Sequence, residues 1–264
     1  MIKRIVTLCI CIAFLIFTFV YRKTWREETI DSLSIAKLLL LAKEPLGQTM
    51  YVWGGGWNEE DTGAGMEARR LGVSPLWAEF AEKQNENYDY NDTRYQIHLG
   101  LDCSGYIGWL VYNLLETCDG KEGYVTKSSD MASSLAKKGL GELTLAAQVT
   151  DWQAGDIMSM DGHVWMSLGM CEDGSVVLIH ATPPGILLSG TKLADGSDSM
   201  AVQLAKKYMS DSYPKWYEKY PKTACGYSYL MESDRMRWSE AVLSDEQGLR
   251  NMSAEKVLQW LFGY

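Results

Sequence analysis

Helical patterns of apolar residues occur in three stretches of the first half of the chain. They cover residues 29–43, 76–84 and 103–118. Apolar side chains three or four positions apart share one face of a helix, and Pro45 and Gly47, soon after the first stretch, are typical of a helix end. The pattern therefore predicts three helices, the third with a strong apolar face suited to burial.

Shorter apolar runs follow in the second half and predict strands. They occupy residues 156–160 (DIMSM), 163–170 (HVWMSLGM) and 176–182 (VVLIHAT), and the segment CEDGS between the last two has the composition of a turn. Strands in such close succession predict an antiparallel meander. A helix followed by a separate group of antiparallel strands is an α+β pattern.

The pattern weakens after residue 190. It predicts a helix over residues 200–209, a loop rich in Tyr and Pro, a strand over residues 225–231 and a closing helix over residues 253–262. Nearer the start, the run TMYVWGGGW (49–57) predicts a short strand-like segment that ends in glycines. Glycines there indicate a turn with backbone angles that other residues avoid.

The first 23 residues differ in kind from the rest. An apolar run over residues 5–21 has basic residues on both sides, which is the pattern of a secretory signal or of a membrane anchor. No small-x-small cleavage site follows, so an uncleaved anchor is favoured over a cleaved signal, although the run is short for a spanning helix. Residues 24–264 then form a single domain, which meets the membrane through residues 1–23.

Composition narrows the classes of partner and site. The 264-residue chain has a formal net charge of −9, which argues against nucleic acid as a partner because phosphate backbones attract basic surfaces. No C-x-x-C or H-E-x-x-H pair occurs, so neither a metal site nor another cofactor is predicted. Four cysteines outside the first 23 residues are too few for a disulfide framework, although one bridge among Cys118, Cys171 and Cys225 stays open.

Cys103 begins the strongest helical pattern and directly follows Asp102, a good N-cap residue. A thiol in the first turn of a helix lies in a positive field, which lowers its pKa and favours the thiolate. A lone cysteine at such a place is more often a small buried residue. A nucleophilic thiol also needs a base, normally a histidine, and the chain has three histidines.

His163 opens one predicted strand and His180 lies near the end of the next. The turn between these strands brings both imidazoles to the same edge of the sheet. A base that is oriented by a second polar side chain belongs to a nucleophile–base–orienter triad, so Cys103, His163 and His180 are the candidate catalytic residues. The remaining histidine, His98, lies in a polar segment and is interpreted as an ordinary loop residue.

Five short segments occur in the order found in cysteine peptidases of the NlpC family. They are YVWGG (51–55), DCSG (102–105), AGD (154–156), GHV (162–164) and IHA (179–181). The ordered set spans about half of the chain and resembles these papain-like endopeptidases of bacterial cell walls. The resemblance implies a papain-like NlpC-type core, in which the catalytic cysteine begins a helix that packs on an antiparallel sheet. It implies Cys103 as nucleophile, His163 as general base and His180 as the residue that orients it.

The resemblance also implies a substrate and a location. Family members usually cut the bond between D-glutamate and a diamino acid in peptidoglycan stem peptides, through an acyl-enzyme, at the extracellular face of the cell envelope. Asp102, Ser104 and Tyr51 match positions that line the substrate site. Each also has a plainer interpretation: Asp102 as a helix cap, Ser104 as a partner of a backbone group and Tyr51 as a packing residue. Two alternatives stay open, namely an amidase or acyltransferase of the same fold and a non-catalytic wall-binding module.

The chain departs from the family pattern at three places. A core over about residues 33–190 contains an insertion over residues 56–100 and is followed by an extension over residues 191–264. Trp165 stands where a small residue is common. The insertion is rich in Trp, Tyr and acidic residues, and we expect it to border the cleft as a lid or as a surface for a protein partner.

Overall fold

The computed structural model describes residues 33–115 and 122–263. In that part of the chain, eight α-helices and one seven-stranded sheet form an α+β fold, which confirms the predicted class. The helices are α1 (Ile35–Lys43), α2 (Pro75–Lys83), α3 (Cys103–Leu115), α4 (Met131–Lys137), α5 (Met200–Ser212), α6 (Pro214–Lys219), α7 (Ser228–Met231) and α8 (Ala254–Phe262). The strands are β1 (Gly141–Thr144), β2 (Ile157–Met160), β3 (His163–Met170), β4 (Val176–Thr182), β5 (Gly185–Thr191), β6 (Ala224–Cys225) and β7 (Asp234–Trp238).

The sheet has the strand order β1-β7-β2-β3-β4-β5-β6. All neighbouring strands are antiparallel except β5 and β6, which are parallel. The consecutive strands β2 to β5 form the predicted meander, extended by one strand, and α3 packs against β3 and β4. The helix that begins at Cys103 therefore lies on the strands that carry the two candidate histidines.

The helices with clear apolar periodicity are confirmed to within a few residues. Ser34 caps α1 by accepting a 3.2 Å hydrogen bond from the backbone N–H of Lys37, so this helix begins at Ile35 and not at the predicted residue 29. Residues 29–32 and 116–118 of the predicted helices lie outside the described residues. Helices α2, α3, α5 and α8 match the other predictions.

The predicted strand over residues 225–231 is wrong. Only its first residue belongs to a strand, and Ser228–Met231 form the short helix α7. Backbone bonds from Tyr229 to Gly226, from Leu230 to Tyr227 and from Glu232 to Ser228 turn the chain back on itself. Leu230 is the only residue of α7 that is fully buried, so the segment has no continuous apolar face for a central strand.

The strand of this region is β7, and its charged sequence, DRMRW, does not have the apolar pattern that predicts a strand. Met236 and Trp238 enter the core, whereas Arg237 binds Asp151 and Asp156 and Arg235 also binds Asp151. Buried charges are tolerated when they are paired, so a strand with two arginines lies inside the sheet. The pattern also does not predict β1, β5, α4 or α6.

One large apolar core unites the described residues. It includes Trp77 from the insertion, Ile107 from α3, Ile179 from β4, and Tyr208 and Leu258 from the extension. The insertion and the extension thus share one apolar core with the rest of residues 33–190. A smaller cluster on the opposite face of the sheet contains Met158, Trp165, Leu178 and Leu230.

The segment predicted to be a membrane anchor, residues 1–23, lies outside the described residues. Within residues 33–115 and 122–263, no helix is both long enough and apolar enough to cross a bilayer.

Candidate active site

Asp102 caps the helix that Cys103 begins. Its Oδ1 accepts hydrogen bonds from the backbone N–H of Gly105 at 2.7 Å and from the Ser104 hydroxyl at 2.9 Å. Its Oδ2 accepts one from the backbone N–H of Gly54 at 3.2 Å. The predicted cap is thus confirmed, and the same carboxylate joins the start of α3 to the glycine turn after Trp53.

The glycine turn has the backbone that the sequence predicts. Gly54 has φ +84° and Gly56 has φ +92°, both in the region that favours glycine. The run itself is not a regular strand, because its residues form only isolated bridges, Met50 with Gly185 and Tyr51 with Leu101. The turn therefore lies across the start of α3 and not along the sheet.

The two candidate histidines are hydrogen-bonded to each other. Nε2 of His163 lies 2.8 Å from Nδ1 of His180, and Nε2 of His180 lies 3.0 Å from the hydroxyl of Ser189 in β5. One assignment of protons satisfies this chain and leaves Nδ1 of His163 as an acceptor: each Nε2 carries its hydrogen and donates along the chain towards Ser189. His180 and Ser189 then hold His163 as a neutral base.

Cys103 lies against the start of β3, next to His163. The backbone N–H of Val164, the residue after His163, interacts with its sulfur. Strands β3 and β4 pair from Met166–Ile179 onward, so the sulfur lies where β3 has not yet paired with β4. Among the described residues, no hydrogen bond joins the thiol to an imidazole. Such catalytic bonds are often long before substrate binds and tighten in the complex.

The thiol pKa differs from the sequence-based expectation. Burial, assisted by the negative charge of Asp102, raises the pKa of Cys103 to about 12, because it outweighs the backbone N–H groups that lower it. Burial and the charge of Lys222 lower the pKa of His163 to about 4, and burial holds the pKa of His180 well below its usual value. At neutral pH the resting site therefore holds a neutral thiol and neutral imidazoles. The predicted lowering of the thiol pKa is wrong because Cys103 is only 6% exposed.

The lowered pKa of His163 predicts a change in the pH dependence of stability. Between about pH 4 and 6.5 the unfolded chain binds a proton at His163 that the native protein does not, so the free energy of unfolding gains up to about 1.4 kcal/mol per pH unit as the pH rises. We expect His163→Gln to lose this contribution. Asp102, whose pKa is raised to about 6 by burial, contributes with the opposite sign in both proteins. Urea titrations across this window measure the difference, and parallel curves for wild type and variant would contradict it.

The other predicted site residues lie beside the thiol but are held by the protein itself. The Ser104 hydroxyl donates to Asp102 and accepts a 3.0 Å bond from the indole N–H of Trp57 in the insertion. Tyr51 is only 6% exposed, and its pKa is raised by burial and by the nearby ionisable groups of Cys103 and Asp102. Its ring packs edge-on against Tyr90 at 5.5 Å between centroids.

The insertion encloses one side of this site. Tyr88 donates a 2.7 Å hydrogen bond to the backbone oxygen of Tyr51, and the guanidinium of Arg94 lies 5.0 Å from the ring centre of Trp53. These contacts bury Tyr51 between the insertion and the start of α3. The insertion thus borders the site, as the sequence predicts, while its use as a partner surface stays a prediction.

Two residues of the site are missed by sequence reasoning. Ser189 is the one polar residue in the apolar run ILLSG of β5, and that isolated polar position is a signal for a buried partner. Tyr229 in α7 has its ring 5.5 Å from that of His163 and 6.1 Å from that of His180, measured between centroids. No pattern marks Tyr229, because the segment around it predicts a strand.

His98 lies apart from the three candidate catalytic residues. His98 lines a cavity of about 400 Å³ in the insertion together with Trp57 and Glu67. Cys171 and Cys225 are free thiols, so no bridge joins them, and Cys118 lies outside the described residues.

Comparison with protein-family models, with curated proteins and with solved structures finds no match for this chain.

Proposed function

We propose that the protein is a cysteine endopeptidase with a papain-like NlpC-type core, which hydrolyses the bond between D-glutamate and a diamino acid in peptidoglycan stem peptides. It acts at the extracellular face of the cell envelope, held by residues 1–23 as an anchor. One observation carries the proposal: Cys103 begins a capped, buried helix directly against the strand whose first residue, His163, is hydrogen-bonded through His180 to Ser189.

The proposed reaction uses general-base activation of a neutral thiol. Nδ1 of His163 takes the thiol proton while the sulfur of Cys103 attacks the scissile carbonyl carbon. The tetrahedral oxyanion is stabilised by donors that include the backbone N–H of Cys103. The protonated His163 then gives its proton to the leaving amine, and the thioester forms.

Hydrolysis of the thioester completes the cycle. The neutral His163 takes a proton from water, the hydroxide oxygen attacks the thioester carbonyl, and the thiol leaves with the returned proton. His180 and Ser189 act as positioning residues, since they fix the tautomer and the ring plane of His163 without touching the substrate.

Digestion of purified muropeptides, with mass analysis of the products, tests this function. We expect the wild type to release fragments that end at D-glutamate and Cys103→Ala to release none. Cys171→Ala is the matched control, because this buried cysteine lies at the far end of β3. No cleavage by wild type, or equal cleavage by Cys103→Ala, would overturn the proposal.

A wall-binding module is the second candidate, and one observation favours it. The burial of Cys103 and its raised pKa of about 12 suit a structural thiol as well as a catalytic one. Slow alkylation of the thiol is therefore expected of both functions, whereas cleavage is expected only of the enzyme. Product masses also recognise an amidase, which frees intact stem peptides from the sugar, and an acyltransferase, which moves the acyl group to another amine.

A further inference from the structure

The extension brings Tyr229 to the candidate catalytic histidines. The indole N–H of Trp165 donates a 3.1 Å hydrogen bond to Ser233, just after α7, and the rings of Trp165 and Tyr229 lie 6.0 Å apart. Trp165 is fully buried. Trp165, which stands where the family pattern has a small residue, thus holds α7 beside His163 and His180.

The hydroxyl of Tyr229 is an available hydrogen-bond donor. The side chain is half-buried, and within the described part of the chain its hydroxyl has no hydrogen-bond partner. Burial raises the pKa of Tyr229, and the nearby thiol groups of Cys225 and Cys103 act in the same direction. This phenol therefore stays protonated close to the sulfur that attacks.

Lys222 lies just before β6, the strand that pairs with β5. The parallel pair Gly190–Ala224 places Thr223 beside Ser189, the partner of His180, and Lys222 one residue further along. Lys222 is exposed and makes no salt bridge with any described residue.

The charge of Lys222 opposes the proposed chemistry unless something neutralises it. It lowers the pKa of both His163 and His180, although His163 must accept a proton during the reaction. A bound anion beside Lys222 would offset this effect and make His163 a stronger base. The site is thus arranged for a substrate that brings a negative charge with it.

The proposed substrate carries such a charge at the right place. Glutamate has two carboxyl groups, and if one forms the scissile amide then the other is free within a few bonds of it. We propose that Lys222 and the hydroxyl of Tyr229 form a subsite for this free carboxylate, beside the reacting carbonyl. The inference rests on the proposed function and adds to it which group of the substrate the extension recognises.

Two matched stem peptides test the subsite, one with the free carboxylate and one with a carboxamide in its place. We expect Lys222→Met to lower kcat/KM about fivefold for the carboxylate peptide, mainly through KM, as the loss of a partly exposed ion pair predicts. It should not lower kcat/KM for the carboxamide peptide, because no ion pair is lost there and the removed charge no longer lowers the pKa of His163. Tyr229→Phe should act in the same direction, because it removes one donor and keeps the ring. Lys206→Met, on the exposed side of α5, is the control lysine.

Binding measured without turnover separates this inference from the proposed function. Calorimetry of Cys103→Ala with both peptides should show a preference for the carboxylate that the added Lys222→Met change removes. Cleavage by the wild type with no effect of Lys222→Met on the preference would overturn the subsite and leave the peptidase. Absence of cleavage together with a Lys222-dependent preference would overturn the peptidase and support the subsite, and absence of both cleavage and binding would overturn both.

Discussion

Replacing His163 by alanine is expected to lower kcat/KM for muropeptide cleavage by about 10³- to 10⁴-fold, which is the upper part of the range for a general base. Burial raises the pKa of Cys103 to about 12, so the thiol is protonated at pH 7. The resting site holds no preformed thiolate, and the imidazole must therefore remove the proton during attack. Steady-state kinetics of the purified variant measure the loss.

The pH dependence of the remaining activity distinguishes a lost base from a damaged fold. In His163→Ala the rate should follow the thiolate fraction and increase about tenfold per pH unit below the pKa of Cys103. The wild type, whose base is neutral above about pH 4, should vary much less between pH 5 and 8. His98→Ala is the control histidine, since His98 lies in the cavity of the insertion. Equal pH profiles for His163→Ala and wild type would contradict general-base catalysis by His163.

Gly105→Ala is expected to destabilise the protein by at least about 2 kcal/mol, since overpacking at a rigid contact costs about 1–3 kcal/mol or more. A Cβ at this position would lie 1.9 Å from the backbone oxygen of Gly55 and 3.1 Å from the Cα of Gly56. Both are backbone atoms of the glycine turn, so no flexible side chain can move aside. Alanine gains at most about 1 kcal/mol of helix propensity over glycine, which does not offset the clash.

Gly63→Ala is the matched control, because nothing lies within 4 Å of a Cβ added there. We expect its melting temperature to stay close to that of the wild type and that of Gly105→Ala to fall by about 4–8 °C. The displaced turn should also weaken the bond from Gly54 to Asp102 and lower activity. Equal stability of the two alanine variants would contradict the close contact between the turn and α3.

The sequence predicts well the elements that bury a single face, because this burial sets the spacing of their apolar residues. The apolar face of α3 and the closely spaced runs of β3 and β4 each produce a pattern that has one interpretation. Where burial depends on partners far away in the chain, the pattern fails. Arg235 and Arg237 enter the sheet only because Asp151 and Asp156 pair with them from another segment.

The residues of the candidate site also divide into those that the sequence predicts and those that it does not. The order of the motifs and the turn between β3 and β4 predict that His163 and His180 meet, and the 2.8 Å contact confirms this juxtaposition. The third member of the chain, Ser189, comes from β5, which the pattern does not predict. Tyr229 comes from a segment that predicts a strand and forms a helix.

The pKa of Cys103 is the property of the site that depends most clearly on the tertiary structure. A helix start favours a thiolate through a local field that the sequence reveals. Desolvation depends on every segment that excludes water from the sulfur, and it raises the pKa to about 12. The insertion covers Tyr51 with the ring of Tyr90, and the extension supplies Tyr229. Both segments lie outside the motifs.

The sequence by itself determined the α+β class, the cap and start of α3, and the pairing of two histidines on one hairpin. These features depend on local propensity and on short loops, which act between residues that are close in the chain. Only the tertiary structure decided that the thiol is buried and neutral, that Ser189 completes the hydrogen-bonded chain, and that Trp165 brings α7 and Tyr229 to the dyad. Burial and long-range contacts are properties of the assembled core, and no short window of sequence contains them.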